Sequence, residues 1–179
     1  MEIKNLGNTG GGFMKFANVI TLVLFISLNT PNAKATPVVG DKAVFSATLS
    51  LGKRAIMDGT ATFVVVGRQP ETGNWVVDSI TNLSGKIEQK QNLVQEKDLL
   101  TEVAIDDILS NCAAKGGVSE VVTVPAGTFQ ACAVPKSNET VTGTVWVAKV
   151  PFGYVKGVGK RNDGISINGV LENYSGGAR

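Results

Sequence analysis

Val121-Val122-Thr123-Val124-Pro125-Ala126-Gly127-Thr128-Phe129-Gln130-Ala131-Cys132-Ala133-Val134 is the densest local signal in the chain. Two β-branched runs flank Pro125-Ala126-Gly127. Proline pre-sets φ for the second position of a turn and glycine leaves the chain free to reverse. The stretch therefore predicts a hairpin, with strands over 118–124 and 128–134. Its second strand carries Cys132, one of only two cysteines in the chain.

Upstream lies the one predicted helix, over 102–115. Thr101 is a plausible N-cap, and Glu102 sits where the helix dipole favours an acid. Ile105, Ile108, Leu109 and Cys112 recur at i, i+3, i+4 and i+7, which is one apolar face. Gly116-Gly117 stops the helix. Asp106 and Asp107 are adjacent and so point in different directions, which rules them out as a pair sharing one face. Cys112 and Cys132 form an even cysteine count in a chain with an export signal, and we expect a structural disulfide between them. No Cys-x-x-Cys redox motif is present.

The rest alternates with period two. Ala43, Phe45, Ala47 and Leu49 alternate with Val44, Ser46, Thr48 and Ser50 as in a half-buried strand. Gly52-Lys53-Arg54 reads as a turn, and Asp58-Gly59 as a second one. Thr60 to Gly67 and Asn74 to Asn82 make a hairpin around Gln69-Pro70-Glu71-Thr72-Gly73. Residues 86–94 alternate weakly and predict an exposed strand, within a stretch of mixed charge, 86–98, that could serve as an edge. Lys136 to Gly143 reads as a polar loop and Thr144 to Val150 as a strand. Tyr154 to Val158 and Ile165 to Tyr174 are the last strands, with Asn162-Asp163-Gly164 as a hairpin turn. The sum is a mainly β fold: an antiparallel meander curved into a sandwich or partial barrel, with one α-helix packed on it.

Residues 14–35 read as a secretory leader: Lys15, an apolar run from Ala17 to Leu28, then Ala33-Lys34-Ala35 as a cleavage site. The run is shorter than the roughly 20 apolar residues a membrane span needs. Residues 1–13 read as an extension ahead of the true start at Met14. Gly10-Gly11-Gly12 would be encoded like a bacterial ribosome-binding site. The expectation is a single secreted β domain over 36–179, periplasmic or secreted, with no stable membrane span once cleaved after Ala35. The segment 1–35 holds Lys4, Lys15 and Lys34 against Glu2, so its loss takes the formal charge from +2 to zero. A neutral domain has no electrostatic footprint for nucleic acid.

The chain contains no histidine. That removes Ser-His-Asp and Cys-His catalysis and His-ligated zinc, and two cysteines are too few for an all-cysteine zinc site. Carboxylates such as Asp78 and Glu88 remain, without a constellation around them. Gly157-Val158-Gly159 lacks the third glycine of a phosphate loop. Asn162-Asp163-Gly164 lacks the first Asp and the twelfth Glu of a calcium loop. The three Asn-x-Ser/Thr triplets carry no meaning in a bacterial protein. We therefore expect no catalytic residues, no metal and no cofactor. Trp75, Trp146, Phe152 and Tyr154 supply most of the large aromatics of the strand region. They are either inward core residues or the lining of a concave site for an apolar ligand.

Val-Pro-Ala-Gly-Thr-Phe-Gln-Ala-Cys (124–132), then Val145-Trp146-Val147 and Pro151-Phe152-Gly153-Tyr154-Val155-Lys156, resembles the TapB-like family and related domains of unknown function in exported bacterial proteins. The resemblance covers the C-terminal third. It implies a periplasmic β-rich domain with a curved sheet akin to lipoprotein-carrier folds, and it brings no catalytic residues. Two functions stay open: a non-enzymatic binding module for a hydrophobic ligand or lipid, and an envelope structural or interaction protein that pairs through the exposed edge at 86–98.

Overall fold

In the computed structural model the described residues are 37–176. The expected extension over 1–13 and the leader over 14–35 lie outside them. Nine strands form one antiparallel sheet: β1 (Lys42–Leu51), β2 (Arg54–Arg68), β3 (Trp75–Leu83), β4 (Lys86–Val94), β5 (Val118–Val124), β6 (Gly127–Ser137), β7 (Val141–Val147), β8 (Tyr154–Arg161) and β9 (Ile165–Ser175). Helix α1 (Glu102–Ser110) lies between β4 and β5. The spatial order is β4-β3-β2-β1-β9-β8-β7-β6-β5. Two meanders thus meet where the first strand pairs with the last, from Lys42↔Ser175 to Leu51↔Ile165.

Alternation decides which face is buried. Ala43, Phe45, Ala47 and Leu49 turn inward from β1, and Ala61, Phe63 and Val65 from β2. All but Leu49, which packs with Val141 and Ile167 in a smaller cluster, join Leu171, Val147, Val155 and the helix residues Ile105 and Ile108 in one core, where helix α1 covers the inner face of the sheet. The sheet curves without closing into a barrel. β5 and β6 run on past the end of β7, and the tip of their hairpin reaches back to β9. There the Ala126 amide donates to the Leu171 carbonyl at 3.1 Å, an ordinary backbone hydrogen-bond distance. The Phe129 and Tyr174 rings lie 6.0 Å apart beside it.

Several expectations shift. Asp58-Gly59 is no turn but the middle of β2, where Thr48 hydroxyl donates to the Asp58 carboxylate at 2.7 Å. Glycine is needed there because a Cβ would lie 2.5 Å from the Asn82 carbonyl oxygen of β3. The loop expected over 136–143 shrinks to 138–140, because β6 continues through Pro135 to Ser137 and β7 starts at Val141. Pro135 is tolerated where β5 no longer pairs with β6, whose β5 ladder ends at Val118↔Ala133. The strand expected over 144–150 accordingly ends at Val147. The helix stops at Ser110 rather than 115, and Asn111 to Gly116 form turns that swing Cys112 onto β6. Thr101 does cap the helix, its hydroxyl accepting from the Ala104 amide at 3.2 Å.

Candidate functional site

A cleft with apolar walls opens beside the N-terminus of α1. Three pieces of chain build it. The first is the lead-in to β1, tied to β2 by Gly40 N–H to Val65 C=O at 2.8 Å and Val65 N–H to Asp41 C=O at 2.9 Å. The second is Leu99-Leu100-Thr101, which follows a short 3-10 turn over Glu96–Asp98. The third is the β7–β8 connection, 148–153. The cleft holds about 280 Å³. Val65, Leu99, Ile105, Val150 and Phe152 give it apolar walls. Asp41, Thr101, Glu102 and Lys149 add polar groups.

The β7–β8 connection is a knot of short local bonds. Ala148 N–H donates to Gly153 C=O, Val150 N–H to Ala148 C=O and Gly153 N–H to Val150 C=O, each at 2.9 Å. Two successive residues are left-handed, Phe152 (φ 63°) and Gly153 (φ 76°). For Gly153 the reason is contact as well as conformation: a Cβ there would sit 2.8 Å from Leu100 Cδ1 and 3.1 Å from Ile105. Phe152 has no such freedom, and a left-handed bulky residue costs on the order of 1–3 kcal/mol. Its ring packs 6.1 Å from Phe63, whose ring lies 6.2 Å from Phe45. An aromatic file thus runs from the core to the cleft wall. At the rim Lys149 donates to Asp106 at 2.6 Å, and that bond raises the lysine pKa above its ordinary value.

Of the four aromatics singled out in the sequence, only Phe152 lines this cleft. Tyr154 is buried in the core, and burial pushes its hydroxyl pKa well above the usual range. Trp75 is also buried, opposite Val94 on β4, with the Arg68 guanidinium 5.3 Å above its ring. Trp146 lies between the buried Val145 and Val147 and so points to the outer face. There its indole N–H donates to Glu120, and Lys156 Nζ stands 4.6 Å over its ring. The four do not converge on one place. Asp78 and Glu88 are on opposite faces of the β3–β4 ladder, bonded to Gln91 and Lys86 respectively. Among the described residues no three Cys, Asp or Glu side chains cluster as metal ligands would. Cys112 and Cys132 are joined in a disulfide that staples the turn after α1 to β6.

Leu99 and Leu100 escaped sequence reasoning. For Leu100 a signal was present: an apolar residue just before an N-cap packs on the fourth helical residue, here Ile105.

No protein-family model matches the chain, and no curated protein does. The TapB-like resemblance therefore gains nothing beyond its own motifs. Solved structures align at low identity. A protein from Bacteroides fragilis, described as exported and of YmcC-like fold, is 15% identical over 80% of this chain and 100% of its own, with a TM-score of 0.45. A protein from Parabacteroides distasonis described as a lipoprotein is 14% identical over 80% of this chain and 100% of its own, TM-score 0.42. A chain of the Pseudomonas aeruginosa MucA/MucB complex is 10% identical, TM-score 0.43, over 76% of this chain and 52% of that one. This chain thus spans about half the length of that relative. At such scores these likenesses carry no function across.

Proposed function

We propose that the chain is an exported, non-enzymatic binding module of the bacterial envelope, and that it takes one aliphatic chain of a lipid or other hydrophobic ligand into the cleft beside α1. The observation that carries this reading is the apolar cleft wall held by a left-handed Phe152. Strained backbone persists where the surrounding structure over-determines it, and it clusters at ligand clamps. The volume sets the ligand's size. About 280 Å³ lies just below the roughly 300–1,000 Å³ of small-molecule sites. One acyl chain or one aromatic group fits that space, and a folded diacyl lipid does not. The polar groups at the rim, Lys149 and Glu102 among them, would keep a head group in water. An export leader over residues 14–35, as expected from the sequence, would send the module to the periplasm or outside the cell.

Uptake of a fluorescent fatty acid by the purified protein tests this. Saturable binding is expected, and Glu102→Trp, which sets an indole at an exposed position on the cleft rim, is expected to weaken it several-fold while the fold remains. No uptake by the parent protein, together with a ligand-free mass in native mass spectrometry after periplasmic export, would overturn the reading.

A further inference from the structure

The two free edges of the sheet differ in chemistry. On β4, Lys86, Glu88 and Lys90 alternate on the inward side, opposite Leu83, Thr81 and Ser79. Inward charges of this kind blunt an edge against pairing. The edge at 86–98 is therefore the less suited of the two for joining another strand. β5, Val-Ser-Glu-Val-Val-Thr-Val, is the reverse case. Its one charge, Glu120, is engaged by the Trp146 indole N–H. Val118 and Val121 are 66% and 65% exposed.

Its free backbone groups can be assigned. The hairpin loop is two residues long, so Val124 and Gly127 are a hydrogen-bonded pair. Alternation then directs Val122, Glu120 and Val118 toward β6 as well. The groups that point away from the sheet belong to Ser119, Val121 and Thr123. Among the described residues no backbone bond reaches them. All three are exposed.

We propose that β5 pairs antiparallel with β5 of a second copy of this chain, about a two-fold axis at Val121. The strand is close to its own mirror image about that residue. Val118 falls opposite the partner's Val124, and Ser119 opposite the partner's Thr123, a favourable hydroxyl pair across strands. Glu120 meets the partner's Val122, so no like charges oppose one another. The same register places every outward group, on Ser119, Val121 and Thr123, against an outward group of the partner. Isologous contacts of this kind are the commonest route to a homodimer. The sheet would continue across the axis, and the proposal is independent of the cleft.

Analytical ultracentrifugation and crosslinking test it on the purified protein. The parent chain is expected to sediment at twice the chain mass. Val121→Pro removes an outward N–H that β6 does not use, and Val121→Lys places charges together on the axis. Both are expected to sediment at the single-chain mass with near-ultraviolet dichroism unchanged. Cα atoms of a hydrogen-bonded antiparallel pair lie about 5.5 Å apart, within disulfide range. Val121→Cys is therefore expected to oxidise to a covalent dimer that keeps its Cys112–Cys132 bond. Ser119→Cys is expected to stay uncrosslinked, because the two copies of that residue would be roughly 13 Å apart. Mixed Ser119→Cys and Thr123→Cys chains should crosslink. A parent protein that sediments as a monomer at every concentration would overturn the proposal. So would equal crosslinking of the Val121→Cys and Ser119→Cys chains.

Discussion

Replacing Cys112 and Cys132 together by alanine should cost about 3 kcal/mol of stability. The figure follows from the sequence separation of 20 between the two sulfur atoms' residues. Closing a loop of that size removes on the order of 11 cal/mol/K from the unfolded chain, which is about 3 kcal/mol at 25 °C. Unfolding about 140 ordered residues carries roughly 0.3 kcal/mol/K of entropy, so the midpoint should fall by about 10 °C. Alanine is the right substitute because both positions are buried and a serine hydroxyl would have no partner there. The native fold should survive, since the staple joins a turn to a hairpin that is also held by β7. Urea and thermal melts followed by circular dichroism measure the loss. Reduction of the parent protein should give a loss of the same sign without removing any atoms from the core. The urea m-value should rise in both, because the unfolded chain is freed to expand. A loss below about 1 kcal/mol with an unchanged m-value would refute the chain-entropy reasoning for this loop.

Thr101→Ala removes the hydroxyl that accepts from Ala104 and leaves that amide buried. It should cost about 1 kcal/mol, read as a shift of the urea midpoint, and should loosen the cleft beside it. Tyr154 titrates higher in the folded protein than in the unfolded chain, because burial disfavours the phenolate. Its contribution is therefore intact below about pH 10 and fades as pH rises, since the unfolded state releases the proton first. Stability should fall by up to about 1.4 kcal/mol per pH unit above about 10. Tyr154→Phe should flatten that part of the pH profile in urea melts, and identical alkaline slopes in the two proteins would refute the assignment.

How much of this was legible in the sequence depended on the kind of signal. Ala43, Phe45, Ala47 and Leu49 announced β1 because period two is a local property, and each is buried. Thr101 announced the start of the helix because capping is local chemistry. Gly59 misled, because glycine marks both turns and places where another strand crowds the backbone. Only the neighbouring β3 distinguishes the two. Residues 136–143 read as loop because Ser137 and Thr142 face water, and a strand with one solvated face and small residues shows little alternation. The end of α1 was misplaced because the Cys112–Cys132 bond, a long-range constraint, bends the chain before the apolar period runs out. Of the cleft, only Phe152 was legible as a candidate, and its assembly was not. Val65, Leu99 and Phe152 come from three remote segments, and no spacing in the sequence relates them.

The seam between β1 and β9 bears on how the chain acquires its shape. Four of the strands, β1 to β4, can zip by neighbouring hairpins, and so can β5 to β9. The ladder that unites them joins Lys42 to Ser175 and cannot begin until the last strand exists. Loop closure over nearly the whole domain is slow, and sheets ruled by such distant pairings fold in milliseconds to seconds rather than microseconds. During that interval β1 and β9 are both exposed edges. The half-built protein is then most open to capture by a chaperone or by another chain, at the ladder that ends as the centre of the sheet.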